Sequence, residues 1–156
     1  MSIDDIERER ERERWRRLVR AHVAAENAHD LPAIMATFAE HAIGVINEQV
    51  ATTPDTIAQG HALFGLSATP GIFTSLQVIH EREHFTDEEI VYEGRFHGVH
   101  TGAAPGFPPP SGQTLDLPYI VVYRFDREGK LVSERARIDF SPIYRTALPQ
   151  APASAP

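Results

Sequence analysis

Ile90-Val91-Tyr92-Glu93-Gly94-Arg95-Phe96-His97-Gly98-Val99-His100-Thr101 is the stretch that decides the class of fold. Ile90, Tyr92, Gly94, Phe96, Gly98 and His100 fall on one side by strict alternation, and that side is mostly apolar. Glu93, Arg95 and His97 fall on the other, and they are polar. A period of two is the period of a strand, and two such unlike faces mean one side on a core and the other against solvent or another subunit. Further strand-like runs lie around it, from Ile72 to Phe85, Leu115 to Phe125 and Leu131 to Phe140. Hairpin-length turns join most of them, and a loop rich in Gly and Pro spans Gly102 to Gly112.

Upstream the period changes. Trp15, Leu18, Val19, His22 and Glu26 recur at helical spacing, and Asn27-Ala28-His29-Asp30 ends that helix. Asp30 caps a short second helix with Pro32 in its first turn. A strand at Ala42–Ile46 follows, then a turn and short helix from Pro54 to about Gly65. Helices first and strands later predict an α+β fold with an antiparallel sheet. The strict Glu–Arg alternation of Glu7 to Arg14 puts opposite charges at i,i+3 and like charges at i,i+4, so it reads as a solvated, partly frayed helix start over residues 1–14. The domain proper is expected over 15–145, with a disordered Ala/Pro tail over 146–156.

The 156 residues fit one domain. No apolar run reaches the roughly 18–20 residues of a membrane span, and the charged N-terminus does not read as a signal peptide. The absence of cysteine excludes disulfides, thiolate nucleophiles and cysteine metal sites. A cytoplasmic protein without membrane attachment is expected. Residues 21–123 carry twelve acids against only Arg82 and Arg95, which offers no basic stripe to a nucleic acid. The single lysine, Lys130, lies in the turn Asp126–Lys130, too wet for Schiff-base chemistry.

Several motifs fail on their context. His80-Glu81-Arg82-Glu83-His84 matches H-E-x-x-H, whose histidines converge on zinc only on a helix. Here the string continues a strand, where i and i+4 lie roughly 13 Å apart. His97 and His100 point to opposite faces of their strand. Gly65-Leu66-Ser67-Ala68-Thr69 lacks the second glycine of a nucleophile elbow. What remains is acid–base chemistry by His, Asp, Glu or Tyr without metal or cofactor. His29, His41 and His61 sit at element ends and are expected to be structural or exposed.

A set of short motifs survives: Glu93-Gly94-Arg95-Phe96-His97-Gly98-Val99-His100-Thr101-Gly102, Gly106-Phe107-Pro108-Pro109, Ser111-Gly112, Tyr123-Arg124-Phe125, Gly129-Lys130-Leu131 and Ile138-Asp139. In order and spacing the set resembles the SnoaL-like polyketide cyclase family, whose members read G-T-H-T-G, G-x-P-P-T-G, R-F, G-K-I and D. Asn27-Ala28-His29-Asp30 resembles that family's N-x-x-D turn. The resemblance implies a nuclear-transport-factor-2-like cone, a curved antiparallel sheet wrapped around helices and enclosing a pocket. It implies Asp139 as the base that removes a carbon-bound proton, and His100 as the donor to the resulting oxyanion. Pro108-Pro109-Pro110 carries an extra proline relative to the family pattern, and the helix after Gly60 looks shorter.

The expected function is therefore a cofactor-free enzyme acting on a mid-sized apolar carbonyl compound by proton abstraction and aldol-type cyclisation or isomerisation. Trp15, His22, Glu26, Tyr92, Phe96, Tyr119, Tyr123, Arg135 and Arg137 are the expected pocket residues. In the last strand Asp139 shares a face with Arg135 and Arg137, while Ala136 and Ile138 share the other. The family role requires the charged set to face the pocket. Arg137 and Asp139 also resemble the R-x-D of limonene-epoxide-type hydrolases, which gives an alternative of water activation, with Glu26 as a candidate second carboxylate. A non-catalytic small-molecule binding module is a further alternative. A homodimer or homotetramer is expected from Ile120-Val121-Val122, apolar on both sides of a strand.

Overall fold

The computed structural model describes residues 2–147. Helix α1 (Ile3–Asn27) is capped by Ser2, which exchanges hydrogen bonds with Asp5 in a capping box. The charged start is thus an integral, capped part of α1. Arg14 donates to the carbonyls of Asp126 and Arg127 at 2.9 Å, and Arg12 and Arg16 sit over the Phe85 ring. This half of the helix docks on the end of the sheet. One stripe of α1 is buried, Trp15, Val19, His22 and Glu26, at the spacing of a helix face. Helix α2 (Leu31–Ala36) follows, capped by Asp30.

Strand β1 (Phe38–Ile46) turns through Asn47 into the short β2 (Gln49–Ala51), and α3 (Pro54–Phe64) follows under a Thr53 cap. Gly65 ends α3 at φ 108°, where a Cβ would collide with the Phe73 carbonyl. The meander β3 (Phe73–Phe85), β4 (Ile90–His100), β5 (Thr114–Phe125) and β6 (Leu131–Ile138) completes the sheet, and α4 (Ser141–Ala147) closes the described chain. The order is β2-β1-β6-β5-β4-β3.

The α+β cone is as expected, with one correction: the sheet is mixed. β1 runs parallel to β6, and every other pairing is antiparallel. The meander returns to the start of the sheet after an even number of reversals, which sets β6 beside β1 in the same direction. The last strand also stops two residues before Phe140, and α4 replaces the expected end of structure. The tail expected from Thr146 begins inside α4, and its remainder, 148–156, lies outside the described residues. No helix among the described residues is long and apolar enough to cross a membrane.

Curvature comes from β3. Ser75 adopts φ 52°, and the register with β4 shifts between Thr74 and Gln77 and again between His80 and Arg82. Between the two shifts Asn27 takes the place of a neighbouring strand: its Nδ2 donates to the Val78 carbonyl at 3.1 Å, and its Oδ1 accepts from the Val78 N–H at 2.7 Å. This pair fixes the end of α1, and hence Glu26, against the sheet. The inner face of β4 is buried at every even position from Ile90 to His100, as its alternation predicts. On β3, His80 stacks on Tyr92 with centroids 4.0 Å apart.

Two predictions follow from this packing. Asn27→Ala leaves two backbone groups of β3 unmatched and should cost about 2 kcal/mol in urea unfolding; a loss under about 0.5 kcal/mol would show that Asn27 does not anchor α1. The second concerns His80, which faces Tyr92, Tyr119, Tyr123, His22 and Glu134. Burial, reinforced by His22 and partly opposed by Glu134, pulls its pKa from 6.5 down to about 4. Between those values the unfolded chain binds a proton that the folded chain does not. The associated stability is complete above pH 6.5 and is lost as pH falls toward 4. His80→Phe should reduce the loss of stability between pH 7 and 4.5 by about 2–3 kcal/mol. An unchanged loss would mean that His80 is protonated without penalty in the fold.

Candidate active site

Three elements bring four titratable side chains to one point under the sheet. His22 and Glu26 stand one turn apart on the buried stripe of α1. His61 comes from the last turn of α3, on the face it shares with Ile57 and Phe64. Glu134 comes from β6, on the side it shares with Ala136 and Ile138. Relative exposures are 0% for His22, 3% for Glu26 and 8% for His61, with the Glu134 side chain at 13%. The four form a ring of alternating imidazoles and carboxylates. His22 Nε2 lies 3.6 Å from Glu26 Oε1 and 3.7 Å from Glu134 Oε1; His61 Nε2 lies 3.8 Å from Glu26 Oε1 and 3.6 Å from Glu134 Oε2.

The far side of each imidazole is fixed by the backbone. His61 Nδ1 is 2.9 Å from the Ile57 carbonyl, which can only accept, so Nδ1 carries a hydrogen. The Thr37 hydroxyl donates to the Ile34 carbonyl at 2.6 Å and therefore accepts from His22 Nδ1 at 2.7 Å. Both Nε2 atoms are thereby turned inward. Phe38 packs edge-on against both imidazoles, and Tyr123 edge-on against His22.

In this setting burial alone would discharge the histidines, but the carboxylates prevail. Burial depresses the His22 pKa, while the neighbouring Glu26 and Glu134 carboxylates push it up to about 10. His61 is raised in the same way against its own burial, chiefly by Glu134. Burial favours the neutral form of Glu134, and the two imidazoles override this to hold its carboxyl well below the usual range. The tyrosines move the other way: burial, helped by Glu26 and Glu134, raises Tyr119 and Tyr123 and keeps both phenols neutral.

A cavity of about 320 Å³ opens onto this ring. Glu26, His61 and Glu134 form its polar end; Ile57, Phe64, Leu66, Phe96 and Ile138 supply apolar wall. The Tyr119 hydroxyl and Glu26 Oε2 are buried without a hydrogen-bond partner. His22 is buried outside the lining. Its Nε2 faces both carboxylates at ion-pair distance without a hydrogen bond.

Of the sequence-expected residues, Glu26 and Phe96 reach the cavity and His22 touches its polar end from within the core. Tyr119 packs on Phe96 at 4.6 Å, and Tyr123 lies behind His22, its hydroxyl 3.4 Å from His80 Nε2. Trp15 stacks on Phe85 and Tyr92 donates to Glu83; neither lines the cavity. The charged face of β6 requires correction. Arg137 donates to the Asn47 carbonyl on the outside of the sheet, and Arg135 pairs with Glu89 at 2.8 Å. Asp139 is exposed, where it accepts from the Ser141 N–H and hydroxyl at the start of α4. Those bonds hold its carboxyl below the ordinary range, the opposite of what a carboxylate base needs. His100 is buried against Phe73 at 5.8 Å, outside the cavity lining, and burial lowers its pKa. Asp139 and His100 do not meet in a pocket.

Sequence reasoning missed Glu134 and His61. Glu134 is the lone carboxylate on the apolar side of the last strand, and His61 is in register with Ile57 and Phe64. Both signals were present. The H-E-x-x-H string and the His97/His100 pair behave as their strand positions predict: His84 pairs with Glu93 at 2.7 Å and His97 with Asp116 at 2.9 Å, both on the exposed side.

The family model described as a SnoaL-like domain matches residues 19–134. No curated protein matches the sequence. Among solved structures, a candidate polyketide cyclase from Xanthomonas campestris pv. campestris superposes with a TM-score of 0.73 at 22% identity, covering 86% of this chain and 98% of its own. A candidate SnoaL-like polyketide cyclase from Jannaschia sp. CCS1 gives 0.70 at 22% identity, covering 89% and 94%. AclR, a candidate hydroxylase from Streptomyces galilaeus, gives 0.68 at 21% identity, covering 89% of each chain. At these identities the structures speak to the fold. With the helices, the curved six-stranded sheet and the matched core of the chain in agreement, the protein is a member of the SnoaL-like domain family with a nuclear-transport-factor-2-like fold.

Proposed function

We propose that the protein is an enzyme acting on a mid-sized, mostly apolar carbonyl compound, and that its reacting centre is the inner ring of the cavity. The observation that carries this reading is the Glu26 carboxylate: it is buried, it stands at the polar end of a mostly apolar cavity, and its Oε2 has no hydrogen-bond partner. The cavity volume suits a small organic molecule. The names of the family's solved members, polyketide cyclases among them, support the substrate class.

The chemistry runs from the residues. A carbon next to a carbonyl, held against Glu26, loses its proton to Oε2. The C–H electron pair moves into an enolate, and the negative charge appears on the carbonyl oxygen. His61 Nε2–H, at the same end of the cavity, donates to that oxygen. The enolate carbon then either attacks a second carbonyl of the same molecule, closing a ring, or takes a proton back at another carbon, giving an isomer. Glu134 holds the His61 imidazolium in place. Tyr119, a neutral phenol, packs on Phe96 in the wall behind the cavity. The role assigned from family resemblance to Asp139 passes to Glu26, and that of His100 to His61. Arg137 and Asp139 share a shallow outer hollow with Glu81 and Glu93, apart from Glu26 and the cavity, and Asp139 there is bound to Ser141, which disfavours water activation by the pair with Glu26.

The reading is tested by hydrogen–deuterium exchange at the activated carbon of a panel of linear and bicyclic 1,3-diketones, followed by NMR. The wild-type chain should accelerate exchange on at least one of them. Glu26→Gln should lower that rate at least about a hundredfold and His61→Gln about ten- to a hundredfold, with native circular dichroism. Asp139→Asn should stay within about twofold, since it touches nothing in the cavity. A collapse in Asp139→Asn with an unaffected Glu26→Gln would overturn the assignment. Tight ligand binding with no exchange would make the chain a binding module.

A further inference from the structure

We propose that His22, Glu26, His61 and Glu134 form a binding site for one divalent first-row transition-metal ion. The four offer two imidazole nitrogens and two carboxylate oxygens, all within 4.8 Å of one another. Four donors about 2.1 Å from a tetrahedral ion stand about 3.4 Å apart. Neighbouring donors here are 3.6–3.8 Å apart, with Glu134 turning a different oxygen to each imidazole, so the ring reaches that geometry by contracting around the ion.

Three independent features point the same way. A histidine that binds a metal through one nitrogen characteristically donates its other N–H to a carbonyl or an oriented oxygen, which fixes the tautomer and the ring plane. Both histidines have that outer bond: His61 to the Ile57 carbonyl, His22 to Thr37 and through it to Ile34. Next, His22 is fully buried, and its inward Nε2 has no hydrogen-bond partner although it faces the centre of the ring. Finally, two buried carboxylates need two positive charges nearby; two imidazoliums supply them in the metal-free ring, and a single divalent ion that displaces the two inward protons supplies the same charge. Mixed nitrogen and carboxylate donors suit zinc, manganese, iron or cobalt; magnesium and calcium prefer all-oxygen sets.

The consequence for catalysis rests on the ring being the reacting centre proposed above. With the ion bound, His61 Nε2 is a ligand without its hydrogen, so the ion, taking the enolate oxygen as a fifth ligand, would replace His61 as the electrophile, while Glu26, ligating through Oε1, keeps Oε2 for the proton. Metal uptake is a separate question, and it is measured without substrate.

The purified full chain, stripped with chelator and dialysed, is titrated with Co²⁺ and with Zn²⁺. One ion per chain should bind, Co²⁺ should give the visible absorption of a four- or five-coordinate nitrogen–oxygen site, and the thermal midpoint should rise with ion concentration. His61→Ala and Glu134→Gln should weaken binding at least about a hundredfold, beyond the range of outer-shell losses. Thr37→Val, which removes only the outer bond of His22, should weaken it about tenfold. It also keeps the test intact if ligand variants fail to fold. His84→Ala, at a surface pair, should bind as wild type. No uptake at millimolar ion, or equal uptake by His61→Ala, Glu134→Gln and wild type, would overturn the site. Deuterium exchange by metal-stripped protein that takes up no ion would remove the metal and leave the enzyme reading. Stoichiometric uptake without exchange would do the reverse.

Discussion

Two carboxylates buried in an apolar core demand compensating positive charge, and much of this molecule is arranged to meet that demand. A carboxylate and an imidazole alone in such surroundings would each revert to the neutral form, because burial penalises charge more than a single distant partner rewards it. In the alternating ring each charged group touches two of opposite sign. That requires three elements to agree. The stripe of α1 must turn His22 and Glu26 inward together, α3 must present His61 beside Ile57 and Phe64, and β6 must choose the side that buries Glu134. Removing one partner from such a set leaves a charge without compensation, which costs roughly 3–5 kcal/mol in buried pairs generally.

The parts of the fold written in local periodicity were legible. The alternation from Ile90 to His100 and the stripe Trp15, Val19, His22, Glu26 translate directly into buried faces. The parallel pairing of β1 with β6 was not, because nothing local in Phe38–Ile46 or Leu131–Ile138 encodes which strand lies beside it. The last strand is the instructive failure. Its own amphipathic pattern buries Ala136 and Ile138 and exposes Arg135, Arg137 and Asp139. Family resemblance argued for the reverse, and the pattern won. The strand ends at Ile138 because Asp139 turns out to receive the first N–H of α4, a helix the Ser141-Pro142 signal announces.

Legibility of a site depends equally on where its residues lie in sequence. H-E-x-x-H invites a metal reading because a local string can be matched by eye, yet on β3 its histidines take opposite surroundings, His80 under Tyr92 and His84 out against Glu93. The set that does converge is spread over positions 22, 26, 61 and 134. Only the first two have a spacing a reader can test. The cone supplies the rest: helices laid across a curved sheet bring distant side chains to the base of one hollow, and the apolar wall from Phe64 and Phe96 keeps that base dry enough for its charges to matter.

The charge state of the ring is the point on which the chemistry turns, and nitrogen NMR of the imidazoles reads it directly. In metal-free protein at neutral pH, ¹⁵N shifts should show both nitrogens of His22 protonated, with the signal persisting well above pH 7.5. Glu134→Gln should shift it toward the neutral form. A His22 ring that is neutral at pH 7 and titrates near 6.5 would contradict the account, because the carboxylates around it would then not be the charged partners described.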